Sequence, residues 1–251
     1  MPVKILPYSI KYCTKDKKFF IYIISAVFIA QLIENLFNSI LVDSIVCFFA
    51  TGYGLLVIED IINGGEKLPK VNFNKLLIYG IKGLFVVFVY FMIQFIILEI
   101  ISSSLGFPLF DIEEFILDFK HTFYLFYTHN IVKFIVFSIS GFIVVYVSTF
   151  FMELAIARLA DGGTLKKAFN FPRIKRAIDI IGWKNYAWDY TRILISLLIL
   201  LYLLHYEIPF RFLDAIIDTF LSFLVFLIEV IGMGMIYRRY ILHKSLEKFE
   251  E

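Results

Sequence analysis

Charged residues and cysteines are both scarce in this sequence. Of the 251 residues, 18% are charged and 60% are hydrophobic, whereas a soluble domain has about a quarter charged and about half apolar residues. This balance argues against a soluble all-helical protein, because its helices would need continuous polar faces. The two cysteines, Cys13 and Cys47, are too few for a disulfide framework and argue against redox chemistry.

Motifs typical of enzymes and of nucleic-acid binding are also missing. The chain has no Gly-x-x-x-x-Gly-Lys phosphate loop, no His-Glu-x-x-His, no Cys-x-x-Cys and no Gly-x-Ser-x-Gly. The net charge is +2, and the basic residues form short clusters beside apolar segments, which argues against a nucleic-acid partner. We therefore predict no catalytic residue, no metal site and no cofactor.

Long apolar runs dominate the chain instead. A membrane-spanning helix needs about 20 apolar residues, and six such runs predict an all-α membrane protein that forms one polytopic domain over residues 1–251. Thirty Phe against thirteen Gly predict bulky helix surfaces rather than close glycine contacts. The predicted spans are 19–41, 44–62, 84–101, 131–157, 191–206 and 215–237.

The distribution of basic residues predicts the orientation of these spans. With both termini in the cytoplasm, 21 of the 24 Lys and Arg residues lie on the cytoplasmic side. Lys and Arg concentrate in cytoplasmic loops, so the distribution supports six spans of a multi-pass protein in the cell membrane. An odd number of spans would place one basic end outside.

A repeated string connects pairs of spans. Asn63-Gly64-Gly65 matches Asp161-Gly162-Gly163 at an offset of 98 residues, and Asn72-Phe73 matches Asn170-Phe171 at the same offset. We interpret the match as one duplicated unit of span, glycine break, amphipathic surface helix and span, with halves of about 1–105 and 106–251. Because both breaks lie on the cytoplasmic side, the repeats are parallel in orientation, unlike the inverted repeats of many transporters.

Each glycine break and the helix after it form what we call an elbow. Glycine tolerates positive φ and ends a helix, while Asn72 and Asn170 are suited to N-cap the helix after each break. The elbow residues are Gly64, Gly65, Pro69, Gly162, Gly163 and Pro172. The predicted apolar stripes are Phe73, Leu76, Leu77 and Ile81 in the first elbow and Ile174, Ala177, Ile178 and Ile181 in the second.

The basic residues of the elbows predict contact with anionic lipid headgroups, because basic amphipathic helices lie in the membrane interface. An alternative is that the elbow helices only cover the cytoplasmic end of the bundle. The predicted lipid contacts are Lys67, Lys70, Lys75, Lys166, Lys167, Arg173, Lys175 and Arg176.

Several short motifs resemble a known family. They are Gly52-Tyr53, Asn63-Gly64-Gly65 followed by Leu68-Pro69, Gly80, and Ile10-Lys11-Tyr12 near the start. Together they resemble the largely archaeal membrane-protein family named domain of unknown function 4013. The second elbow departs from the pattern, because Thr164-Leu165-Lys166-Lys167 replaces Leu-Pro. The resemblance implies a polytopic membrane protein and transfers no catalytic residue.

The segment between the third and fourth spans predicts one amphipathic helix on the outer surface. Asp111 and Glu114 have the spacing of a capping box, and apolar residues follow at helical spacing from Ile112 to Phe126. His121 and His129 share a helix face, but eight residues separate them by about 12 Å, which is too far for one metal ion.

Ionisable residues inside apolar spans mark a functional site by default. Glu153, Arg192, Glu229 and Glu59 lie in the cytoplasmic halves of their spans. One interpretation is a polar pocket that they line together. The other is a structural ion pair between Glu229 and Arg192, with Glu59 and Glu153 extending toward the cytoplasm.

The sequence favours a non-enzymatic membrane protein that binds lipid, a protein partner or a second copy of itself. A small-solute or proton-coupled transporter that uses the Glu and Arg residues is the alternative function. A membrane-embedded lipid-modifying enzyme is the third, and it requires that Glu153 and Glu229 approach each other in the fold.

Overall fold

The computed structural model describes residues 5–37, 40–106, 131–204 and 211–250, and every regular element in these ranges is an α-helix. The predicted outer helix falls in 107–130 and so lies outside the described residues. The helices are α1 (Ile5–Thr14), α2 (Lys17–Phe37), α3 (Ile40–Ile62), α4 (Phe73–Ser104), α5 (Ile131–Ala160), α6 (Leu165–Ala168), α7 (Phe171–Ile181), α8 (Trp183–Leu204) and α9 (Arg211–Glu250).

Five of the described helices contain segments long and apolar enough to cross a membrane, which indicates a multi-pass membrane protein. The first predicted span, 19–41, overlaps α2 and is not among the five, so the six-span count stays a prediction. The fifth predicted span is longer than expected, because α8 begins at Trp183. The five segments are Leu41–Ile62, Phe73–Ser104, Ile131–Ala160, Trp183–Leu203 and Ala215–Lys244.

The two elbows differ in their helices. After the second glycine break, α7 is a separate helix that ends at Gly182, where φ is +89°. After the first break, α4 runs without interruption through Gly80 and Gly83 to Ser104. The prediction of a separate surface helix in the first elbow is therefore wrong. Neither glycine of α4 has a positive φ, so the α-helical hydrogen bonds continue past them.

The described helices form two compact units, which we call unit 1 (residues 1–86 and 153–251) and unit 2 (residues 87–152). The core of unit 1 lies where α3 packs on α9. Ile58 and Ile61 of α3 and Leu227 and Ile231 of α9 are at most 1% exposed. This pairing joins a helix from the first quarter of the sequence to the last described helix.

A close glycine contact joins α3 and α4 inside unit 1. A Cβ atom on Gly52 would lie 2.4 Å from the Leu76 carbonyl oxygen, and one on Gly80 would lie 2.9 Å from the Phe48 carbonyl oxygen. The expectation that bulky side chains replace close glycine contacts is therefore wrong at this crossing. Both glycines belong to the short motifs noted in the sequence.

Unit 2 consists of the second half of α4 and the first part of α5. Most of its large apolar side chains are exposed, including Phe88, Phe91, Val132 and Phe142. Exposed apolar surface on this scale marks contact with a membrane or another protein. Gly141 packs near Leu98, since a Cβ atom there would lie 3.7 Å from the Leu98 side chain.

Candidate functional site

Two carboxyl side chains from different helices meet inside unit 1. Glu153 of α5 is 7% exposed, and its carboxyl group lies within interaction distance of that of Glu229 on α9. Two carboxyl groups form a hydrogen bond with each other only when one of them carries a proton, because ionised carboxylates have only acceptor oxygens. The structure thus brings together the two residues on which the transporter and enzyme interpretations depend.

Arg192 and Glu59 make other contacts. The Arg192 Nη1 atom lies 3.9 Å from Asp189 Oδ1, one turn earlier on α8. Lys75 Nζ donates to Glu59 Oε1 at 2.6 Å. The four ionisable residues predicted to share a pocket or an ion pair are therefore divided among three separate contacts, and the carboxylate that pairs with Arg192 is Asp189.

Asp189 is the centre of a second buried charged cluster. Its side chain is 4% exposed, and its Oδ2 atom accepts a hydrogen bond of 2.7 Å from Arg239 Nη1. Arg192 also stacks on the Trp188 ring, with its guanidinium carbon 4.9 Å from the ring centroid. A cavity of about 430 Å³ opens beside this cluster and is lined by Ile181, Asn185, Trp188, Asp189, Arg192, Arg239 and His243.

Sequence reasoning missed this cluster because Asp189 and Arg239 lie just outside the predicted spans 191–206 and 215–237. The available signal was the three-residue spacing of Asp189 and Arg192, which places opposite charges on one helix face. The link from Asp189 to Arg239 joins residues 50 positions apart. Only the packing of α8 on α9 reveals it.

The first elbow is closed by hydrogen bonds of its own backbone. Gly64 has φ of +88°, and its N–H donates to the Ile61 carbonyl at 3.1 Å, while the Gly65 N–H donates to the Asp60 carbonyl at 2.7 Å. These two bonds are the Schellman motif of a helix C-terminus. Asp60 also accepts a hydrogen bond from the Tyr12 hydroxyl at 2.6 Å, which ties α1 to the elbow.

The second elbow has a simpler cap. Gly163 has φ of +65°, and its N–H donates to the Leu159 carbonyl at 2.7 Å, the single bond of the αL motif. Tyr237 donates to Asp161 Oδ2 at 3.0 Å, and Lys82 donates to the Gly163 carbonyl. Both elbows thus end in left-handed glycines, and each is held by a tyrosine from another helix.

The region of the chain that contains both elbows matches a known protein family. The sequence matches the family described as "Protein of unknown function (DUF4013)" over residues 36–237. The chain belongs to this family. No curated protein and no solved structure matches it. The DUF4013 match contains both elbows, Glu153, Asp189 and Glu229, whereas Arg239 and His243 lie just beyond it.

The predicted lipid contacts of this DUF4013 protein fall into two groups. Lys67, Lys75 and Lys167 pair with Asp16 at 3.8 Å, Glu59 at 2.6 Å and Asp161 at 3.9 Å, so they serve contacts within the protein. The other group has no carboxylate within ion-pair distance among the described residues, and its members are exposed. This group comprises Lys70, Lys166, Arg173, Lys175 and Arg176.

The two faces of α7 explain why three of these cations are exposed. Its predicted apolar stripe, Ile174, Ala177, Ile178 and Ile181, is buried within unit 1. Arg173, Lys175 and Arg176 lie on the opposite face. In the first elbow Phe73, Leu77 and Ile81 are 68%, 42% and 65% exposed, whereas Leu76 is 4% exposed, so most of the predicted stripe faces outward and only Leu76 packs inside.

Two side chains near the first elbow have pKa values above their usual range. Burial raises the pKa of the Cys13 thiol to about 12, which keeps the thiol protonated and unreactive. Burial, and then the hydrogen bond to Asp60, raises the pKa of the Tyr12 hydroxyl. Tyr12 therefore remains a donor to Asp60 at ordinary pH.

Proposed function

We propose that this protein is a multi-pass membrane component whose second elbow binds anionic lipid headgroups at the cytoplasmic surface. The observation that carries the proposal is a cationic and aromatic surface on unit 1. Arg173, Lys175 and Arg176 are exposed on α7, and Trp183 and Trp188, the two tryptophans of the chain, are 45% and 59% exposed on α8.

Two general properties of membranes support this proposal. Tryptophan is enriched where protein crosses from hydrocarbon to water, because its ring is apolar and its N–H is polar. Basic residues near that level gain about 1 kcal/mol each from anionic lipid. Because the apolar stripe of α7 is buried in the protein, this contact uses the charged face of α7 and the aromatic rings beside it.

Removing the charge of α6 and α7 tests the proposal. Lys166, Arg173, Lys175 and Arg176 are replaced together by Gln, and Lys167 is kept because it holds Asp161. The matched control replaces four exposed lysines elsewhere, Lys11, Lys17, Lys18 and Lys244. Each protein is purified from detergent containing equal dioleoylphosphatidylglycerol and dioleoylphosphatidylcholine, and the retained lipids are quantified by mass spectrometry.

The elbow variant is expected to lose most of the preference for phosphatidylglycerol, and the control variant is expected to keep most of it. Equal loss in both variants would show that the preference for phosphatidylglycerol depends on the total charge of the protein and not on the second elbow. Unchanged preference in the elbow variant would overturn the proposal.

We also propose a second candidate function, proton-coupled transport of a small solute, which the close approach of the Glu153 and Glu229 carboxyl groups between helices favours. A carboxyl pair between apolar helices is able to take up and release a proton.

Glu229→Gln keeps the shape and one donor but removes the titratable group, so it is expected to abolish pH-driven proton flux into proteoliposomes loaded with a pH-sensitive dye. Thr219→Ser, on the same helix, is the control. Wild-type flux no higher than that of empty liposomes, or unchanged flux in Glu229→Gln, would reject the transport function.

A further inference from the structure

The cavity beside Asp189 has the composition of an anion-binding site. Its lining includes two guanidinium groups against one carboxylate, so cations outnumber anions. Guanidinium groups bind phosphate through paired hydrogen bonds that match its geometry. The cavity volume of about 430 Å³ also falls within the usual range of small-ligand pockets, roughly 300–1,000 Å³.

Neighbouring side chains hold both guanidinium groups in place before any ligand binds. Asp189 accepts from Arg239 at 2.7 Å, and Trp188 stacks under Arg192 at 4.9 Å. A guanidinium carries five N–H donors, and the contact of Arg192 with Asp189 is a long one, 3.9 Å from Nη1 to Oδ1. Donors fixed in this way lose less conformational entropy when an anion arrives.

The surroundings of the cavity indicate that the anion is part of a lipid. A second cavity of about 530 Å³ lies along α8 and shares Asn185 and Trp188 with the first. Beyond it, the side chains of Ile195, Leu198 and Tyr202 are 51%, 55% and 74% exposed. These residues continue from Trp188 and Thr191 at alternating spacings of three and four, so they lie on one helix face.

We propose that the Arg192 and Arg239 cavity binds the phosphate group of a membrane phospholipid, with the acyl chains lying along the exposed apolar face of α8. This inference rests on the proposed function, which places this end of unit 1 at an anionic membrane surface. The inference adds one defined binding site to the general attraction between the basic second elbow and anionic lipid. A soluble phosphate compound would gain nothing from the apolar face below the cavity.

Tryptophan fluorescence provides a direct test. Trp183→Phe leaves Trp188 as the single tryptophan, inside the lining of the cavity. The full chain in dodecyl maltoside is titrated with dihexanoylphosphatidylglycerol, dihexanoylphosphatidylcholine and inorganic phosphate. We expect a saturable change with the first probe, a weaker response to the second, and no response to inorganic phosphate at the same concentration.

Arg192→Gln in this background is the decisive variant, because Arg192 is 39% exposed and lies 3.9 Å from Asp189. We expect its Kd for dihexanoylphosphatidylglycerol to rise about tenfold, the effect of losing one charge-assisted hydrogen bond. Lys18→Gln removes one exposed charge from α2, outside both the cavity and the second elbow, and is expected to change Kd less than twofold. If Arg192→Gln does not fold, Arg192→Lys keeps the charge without the planar fork and should raise Kd at least threefold.

Each other outcome has a definite meaning. Equal Kd values for Arg192→Gln and Lys18→Gln would overturn the cavity site, and so would binding of inorganic phosphate as tight as that of the lipid. If the Lys166, Arg173, Lys175 and Arg176 variant loses its lipid preference while Arg192→Gln binds normally, the cavity is wrong and the proposed function stands. If only Arg192→Gln loses binding, the cavity stands and the proposed role of the elbow is wrong.

Discussion

Gly65 shows how much one residue contributes at the first elbow. A Cβ atom at this position would lie 1.7 Å from Asp60 Oδ2, and Asp60 is already engaged by the Tyr12 hydroxyl. Any side chain at position 65 must therefore displace Asp60 and disturb the attachment of α1.

Gly65→Ala is expected to destabilise the protein by about 2 kcal/mol, which is typical of overpacking. The midpoint of thermal unfolding in detergent should fall by roughly 4–8 °C for a chain of this size. Gly141→Ala serves as the control, because its Cβ atom would meet only an ordinary contact at 3.7 Å. A midpoint for Gly65→Ala equal to that of Gly141→Ala would show that Asp60 moves aside without penalty.

Single residues were the most predictable part of the molecule. The N-cap roles of Asn72 and Asn170 are confirmed, since their Oδ1 atoms accept from Lys75 N at 3.2 Å and Arg173 N at 3.1 Å. Gly64, Gly162 and Gly163 have positive φ, as expected for the glycine breaks, whereas Gly65 does not. These features depend on residues a few positions apart. The Glu153 and Glu229 pair, and the Asp189 and Arg239 pair, depend on helix packing, which no local pattern encodes.

At the scale of helices, the two elbows are similar in sequence but differ in structure. Asn170 caps the separate helix α7, which Gly182 ends, whereas Asn72 begins the uninterrupted helix α4. The matching motifs at an offset of 98 residues did not show which of the two helices would be broken. That difference arises from the backbone at Gly182, where φ of +89° stops the helix.

Asn170→Ala is expected to lower the free energy of unfolding by about 1 kcal/mol, because the first turn of α7 loses its side-chain acceptor. Asn170→Ser retains an acceptor oxygen and should recover most of that loss. Thermal unfolding in detergent measures both variants. If Asn170→Ala and Asn170→Ser unfold at the same temperature, the hydrogen bond to Arg173 N does not stabilise α7.

At the scale of the whole molecule, membrane character was predictable because it depends on composition summed over long segments. Five segments of the described residues are long and apolar enough to cross a membrane. The number of spans is harder to predict, since it depends on whether α2 also crosses, and the orientation follows only from the distribution of basic residues.

Cysteine labelling tests both the orientation and the parity of the spans. In a background of Cys13→Ala and Cys47→Ala, single variants Glu66→Cys and Thr164→Cys place a thiol at each elbow. We expect both to resist a membrane-impermeant maleimide in intact cells and both to react in inverted membrane vesicles. Reaction of one elbow alone in intact cells would place the two elbows on opposite sides and exclude parallel repeats.

The crossing of α3 and α4 determines which substitutions the protein tolerates. A lipid-facing phenylalanine exchanges for leucine with little penalty, because fluid chains fill whatever shape it leaves. Positions 52 and 80 have no such freedom, because a backbone carbonyl occupies the space that the first carbon of a side chain would need. Substitution is therefore tolerated over most of the lipid-facing surface, whereas any residue larger than glycine at either of these two positions would force α3 and α4 apart.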